Sequence, residues 1–254
     1  MYMKRRKFIK GAAVAGLAAT IPAGTQAAEK QKKGNSMAEK KKLYPGGALS
    51  AEQVKQAYFK MMKGFNYPIP DILKTDNFWV CDFDQADILA LGMGGIFWIN
   101  QKGEYKTSGA GVYSGDYKDE RFGYLLHEIY LLPGQTLPEH NHLGGPEGYP
   151  PKMESWQVRY GEVNFFGEYK HGDEMLISDL PKNKQPWGFG EDWFNSKYIV
   201  KRDSKKNQMY TLADPESWHG QLAGPDGAIV TEVATYHNHV QFSKPGMEFK
   251  NTGA

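Results

Sequence analysis

The sequence predicts an all-β domain of the sandwich or barrel kind, entered through one short helix. Two observations carry this. Short apolar runs with a period near two follow one another from residue 77 to residue 236, separated by clusters of Gly, Pro, Asn and Asp. Glycine (29) and proline (14) are plentiful without any repeat, which favours many turns over long helices. An aromatic content of 13% among 254 residues is too high for a disordered chain and sufficient for one core.

Taken in order, Ser50 followed by Gln53 reads as a capping box, and Val54, Ala57, Tyr58, Met61, Met62 and Phe65 recur at helical spacing. The Met61–Met62 pair is expected to fill core or interface. Strand-like runs then occupy 77–83, 87–92, 94–100, 122–133, 154–166, 175–179, 208–212 and 228–236. Regularly spaced short strands after a single helix suggest a sandwich or barrel, and no 20–50-residue repeat competes with that reading. Cys81 is the sole cysteine, which excludes an intramolecular disulfide and a cysteine-built zinc site; in the run FWVCDF it is expected to be buried and inert.

The formal charge of +2 conceals an asymmetry. Residues 1–28 carry five basic and no acidic residues, and residues 29–42 carry six basic against two acidic. Residues 43–254 hold 20 basic against 27 acidic residues. A domain of that sign repels phosphate backbones, so nucleic acid is excluded as a partner. No apolar run approaches the ~20 residues that a membrane-crossing helix needs.

Arg5 and Arg6, Phe8 two positions on, a mildly apolar stretch (GAAVAGLAATIPAG) and small residues near Ala27 resemble a twin-arginine export signal. Lys4 stands where that signal usually has Ser or Thr. The resemblance implies a leader over 1–27, cleavage near Ala27, and export to the periplasm of a protein already folded, often around a cofactor. The Lys-rich segment 28–45 reads as a flexible tether, and 46–254 as one β-barrel domain.

A metal constellation stands out among seven histidines. His140 and His142 alternate on an expected strand, so both imidazoles project to one face. Glu154 from the next strand and His219 from a later hairpin are the natural suppliers of a carboxylate and a third imidazole. His237 and His239 form a rival pair that lacks a third ligand, and His127 reads as a packed or paired strand residue. Gln185–Asn195, with four aromatics, suits either a sugar-covering lid or a packing segment, and packing is the expectation.

These residues resemble the cupin superfamily. Gly134, five residues, His140, one residue and His142 fit the first cupin motif, and Glu154, six residues and Gly161 fit its second half. Pro215-Glu216-Ser217-Trp218-His219 represents the second motif. Within that superfamily, Asn77–Phe83, Lys152-Met153-Glu154, Tyr210-Thr211-Leu212 and Val230–Ala234 are similar to the D-lyxose ketol-isomerases, over roughly residues 68–249. The resemblance implies a jelly-roll barrel, with His140, His142, Glu154 and His219 as metal ligands and Lys152 and Glu232 as polar residues of a sugar site. It also implies a homodimer, since cupins often pair. The chain departs from the family in the insertion at 143–151 and in Tyr236-His237-Asn238-His239, where the family has an acidic segment; His237 and His239 are therefore candidates for substrate binding.

The expected activity is metal-dependent aldose–ketose isomerisation of the D-lyxose/D-xylulose type through an enediolate, with Glu232 as base and Lys152 as oxyanion partner. Manganese is the first choice of ion, with zinc, iron or cobalt as alternatives. A metal-dependent dioxygenase and a non-enzymatic, exported sugar- or metal-binding cupin stand beside it. At Lys152 the competing reading is a solvated loop lysine, and at Glu232 an outward polar residue in an alternating strand.

Overall fold

The computed structural model describes residues 51–83, 88–101, 123–144, 151–170, 172–206, 208–236 and 240–248. The expected leader and tether, Ser50 of the capping box, residues 145–150 of the insertion, His171, His237 and His239 lie outside these. Among the described residues one α-helix, α1 (Ala51–Gly64), precedes ten strands. They are β1 (Trp79–Cys81), β2 (Met93–Gln101), β3 (Tyr124–Leu131), β4 (Thr136–Asn141), β5 (Glu154–Gly167), β6 (Met175–Leu176), β7 (Tyr198–Asp203), β8 (Met209–Thr211), β9 (His219–Thr235) and β10 (Gln241–Phe242). The architecture is the expected all-β, jelly-roll barrel. Among the described residues no helix is long and apolar enough to cross a membrane.

The strands pair antiparallel in the order β1-β2-β3-β9-β5-β7-β6, with β4 joining β9 and β10, and β8 joining β5. The long strand β9 is the hub. Its first residues pair with β4 and its last eight with β3, while β5 runs along its other edge. One strand serving two partners on the same side forces the sheet to turn, and its twist carries the turn into a barrel. Gly161 and Gly227 permit the tight crossing of β5 and β9. Both have positive φ (73° and 81°), and a Cβ at Gly161 would lie 2.1 Å from the Gly227 carbonyl oxygen. Gly161→Ala should therefore destabilise the fold by about 2–4 kcal/mol, the left-handed backbone and the clash adding together. Urea unfolding would read this as a lower midpoint at unchanged slope.

Two apolar layers flank the sheet. Inside, Trp79, Met93, Ile129, Leu137, Trp156, Val158, Phe165 and Val230 form the barrel core. Outside, Val54, Tyr58, Met61 and Met62 of α1 seat against Phe78, Tyr130, Leu132 and Ile229. Burying each such side chain contributes about 1.5–3 kcal/mol, which holds a short helix in place where its own propensity would not. Cys81 is fully buried.

The turn Leu132-Pro133-Gly134-Gln135 launches β4. Pro133 and a Gly134 with φ of 72° have the signature of a type II turn, closed by Gln135 N–H donating to the Leu132 carbonyl at 2.9 Å. The buried Gln135 side chain accepts from the Leu132 N–H and the Tyr58 hydroxyl, each at 2.8 Å, which ties the helix to the start of the His-bearing strand.

The segment 185–195 packs. Trp187 lies against the barrel core, and Phe189 and Phe194 lie against Phe166, Ile177 and Ile199 at one end. Buried Glu139 of β4 fixes it by accepting the backbone N–H groups of Asn195 (2.9 Å) and Ser196.

Candidate active site

Alternation along β4 places His140 inward and carries the chain to His142 on the same face. The register brings His140 opposite His219, the first residue of β9. One ring nitrogen from each of His140, His142 and His219 lies within 4.8 Å of the others, and all three residues are buried. Glu154, the first residue of β5, points its Oε1 at the same spot, 3.0 Å from His219 Nε2 and 3.6 Å from His142 Nε2.

Two imidazoles are oriented by backbone carbonyls. His140 Nδ1 donates to the Pro138 carbonyl at 2.8 Å, and His219 Nδ1 donates to the Ser217 carbonyl at 2.9 Å. A carbonyl only accepts, so each Nδ1 bears the proton and, in the neutral ring, Nε2 keeps a lone pair. Burial first, and then the neighbouring His219, push the His140 imidazole well below the ordinary histidine range, so it is neutral near pH 7.

The donor set fits a divalent cation. His219 Nε2 and Glu154 Oε1 are buried 3.0 Å apart, yet neither makes a hydrogen bond. Two electron pairs converging without a proton between them repel, and a shared cation relieves both. Backbone carbonyls holding the far nitrogens are the usual outer support of metal-binding histidines.

Lys152 adjoins this cluster. Its buried ammonium contacts Glu154 Oε2 at 2.7 Å and Glu232 Oε1 on the opposite side. Burial alone would lower the Lys152 pKa, but the Glu154 and Glu232 carboxylates outweigh it and hold the pKa above the ordinary lysine value. Glu232 faces inward from β9, 4% exposed, and its Oε2 takes a contact of 3.1 Å from His127 Nδ1. Burial would raise the Glu232 pKa; Lys152 and His127 outweigh it and hold the group well below the usual carboxylate range.

His127 is the residue whose place in the site sequence reasoning missed. It is paired, as expected of a strand histidine, but its partner is the candidate base. Phe97 (4.3 Å) and Trp79 (5.4 Å) stack on its ring and set its plane. The register His127↔Glu232 between β3 and β9 is the only sequence-borne signal, and it requires knowing the strand pairing.

His127, His140, His142, Lys152 and Glu232, together with apolar neighbours such as Phe97 and Phe242 and with Asn100, line a cavity of about 370 Å³, a size suited to a small ligand. The structure thus brings His140, His142, Glu154, His219, Lys152 and Glu232 together. His237 and His239 lie outside the described residues.

No family model matches the chain. A D-lyxose/D-mannose isomerase of Thermosediminibacter oceani is 25% identical over 185 residues, covering 73% of this chain and 84% of the relative. A D-lyxose ketol-isomerase of Cohnella laeviribosi is 29% identical over 114 residues, 44% of this chain and 56% of the relative. Among solved structures, the L-ribose isomerase of Cellulomonas parahominis with L-ribose superposes with a TM-score of 0.54 at 16% identity, covering 81% of this chain and 96% of that one; this likeness speaks for the fold. The chain thus has a cupin-type fold, and its sequence is similar to the D-lyxose ketol-isomerases.

Proposed function

We propose that the protein is a metal-dependent aldose–ketose isomerase acting on sugars of the D-lyxose/D-xylulose type. The observation that carries this reading is the continuous buried chain from the His140/His142/Glu154/His219 cluster through Lys152 to Glu232 and His127. An ion held by the four donors supplies Lewis-acid polarisation of a neighbouring carbonyl and hydroxyl. Manganese suits a mixed imidazole and carboxylate shell, with zinc, iron and cobalt as the other candidates.

The protein's own groups move the proton. Glu232 Oε atoms face the cavity and remove the C2 proton, then return it to C1. Lys152 offers N–H donors to the oxygen on which charge develops. In the resting site Lys152 and His127 keep Glu232 weakly basic. When the substrate oxygen draws the ammonium toward itself, Glu232 loses part of its counter-charge and its basicity rises at the moment a base is needed. A dioxygenase reading accounts for the ion alone and leaves the Lys152–Glu232–His127 chain without a task.

Lys152→Met tests this division of labour through pH. Removing the cation leaves burial as the dominant influence on Glu232, so its pKa must rise. Because the base must be ionised, the acidic limb of kcat/KM should move to higher pH by more than about one unit. An unmoved limb alongside a merely lower rate would show that Lys152 does not control the base.

A further inference from the structure

The inward face of the barrel is organised in rows across four strands. Glu154, Ala234, Leu125 and Asn100 form one row by direct register, and Trp156, Glu232, His127 and Phe97 form the next. Asn100 therefore stands at the far end of the row that begins with Glu154. It does so only because of a bulge. The pairing of β2 with β3 shifts between Phe97 and Ile99, and the extra residue is Trp98. Without it, alternation from Gly95 and Phe97 would turn Ile99 inward and Asn100 out.

The bulge is held from outside. The Trp98 indole N–H donates to Glu128 Oε2 at 3.1 Å, and the same oxygen accepts the hydroxyls of Tyr67 and Tyr130, each at 2.8 Å. Glu128 is itself buried beneath that cover. On the inside, Asn100 lines the cavity, and its Oδ1 is buried without a hydrogen-bond partner. A buried, unpaired amide oxygen is costly in a resting protein, and a clasp that aims one into the cavity shared with Lys152 and Glu232 needs a reason.

We propose that Asn100 is a specificity-determining residue that hydrogen-bonds the sugar hydroxyl remote from the carbonyl; this rests on the isomerase reading above. Three strand spacings, roughly 14 Å between backbones, separate Glu154 from Asn100. The Glu154 side chain, an ion, an open-chain sugar and the Asn100 amide together fill that span. A hydroxyl both donates and accepts, so either face of the amide can meet it.

The test compares a pentose with its 5-deoxy analogue on metal-loaded protein, in the native chain, Asn100→Leu and Asn100→Ala. The native protein should favour the full pentose by about 10- to 100-fold in kcat/KM, and both variants should bring the ratio close to one at unchanged metal content. A ratio that survives both substitutions overturns the assignment while leaving the isomerase reading intact. Calorimetry with an inert pentitol and its terminal-deoxy analogue separates the two ideas. Asn100-dependent discrimination without turnover of any sugar would support Asn100 and sink the isomerase. Absence of both pentitol binding and turnover would overturn both.

Discussion

Glu232→Gln should lower turnover about 10²- to 10⁴-fold, the range that a positioned general base contributes, while leaving the bound metal unchanged. The amide keeps the shape of the side chain and still meets Lys152 and His127, but it has no charge with which to accept the C2 proton. Removing a buried carboxylate also leaves Glu154, among the described residues, as the one carboxylate in contact with the Lys152 ammonium. A modest loss of stability is thus expected beside the kinetic effect, and metal analysis together with a thermal melt separates the two. A variant that retained native turnover would remove Glu232 from the chemistry.

His219→Ala has the second large effect. It deletes an imidazole that is 2% exposed and oriented by the Ser217 carbonyl, and it leaves Glu154 Oε1 without its nearest neighbour at 3.0 Å. Losing an outer partner of a metal ligand already costs about 10- to 100-fold in affinity, so loss of the ligand itself should exceed that. The purified variant should carry far less metal than the native chain and show no isomerisation, with β-sheet content retained by circular dichroism. Native metal content in this variant would mean that the ion binds elsewhere.

Much of the fold could be read from the chain because period-two alternation is a local property. The runs at 77–83, 94–100, 122–133, 154–166, 208–212 and 228–236 coincide, to within two residues at either end, with β1, β2, β3, β5, β8 and the second half of β9. The misreadings have physical causes. The run 87–92 looks like a strand, yet Ile88 buries its side chain from a turn over 88–90, and Leu91, also buried, makes just an isolated bridge with Thr136. The first half of β9 (HGQLAGPD) reads as loop because its Gly, Pro and Asp are turn formers; pairing with both β4 and β5 makes His219–Ala223 strand, while Gly224, Pro225 and Asp226 stand in neither register. The strand β7, half exposed and ending in Lys201-Arg202-Asp203, lacks the apolar stripe that would have marked it.

The site divides the same way. His140 and His142 are two residues apart, so alternation alone put them on one face. The meeting of His127 with Glu232 spans 105 residues and depends on the β3–β9 register, which no local pattern encodes. The inward turn of Asn100 depends on a single inserted residue, Trp98, held by an outer cluster whose members are scattered from Tyr67 to Tyr130.

Transfer of a proton between neighbouring carbons by Glu232 is most directly tested with D-lyxose bearing deuterium at C2, incubated with metal-loaded protein. A primary isotope effect on turnover, with part of the label lost to solvent and both abolished in Glu232→Gln, is the predicted result. Full retention of deuterium at C1 of the ketose would show a hydride shift between the carbons and would contradict the role given to Glu232.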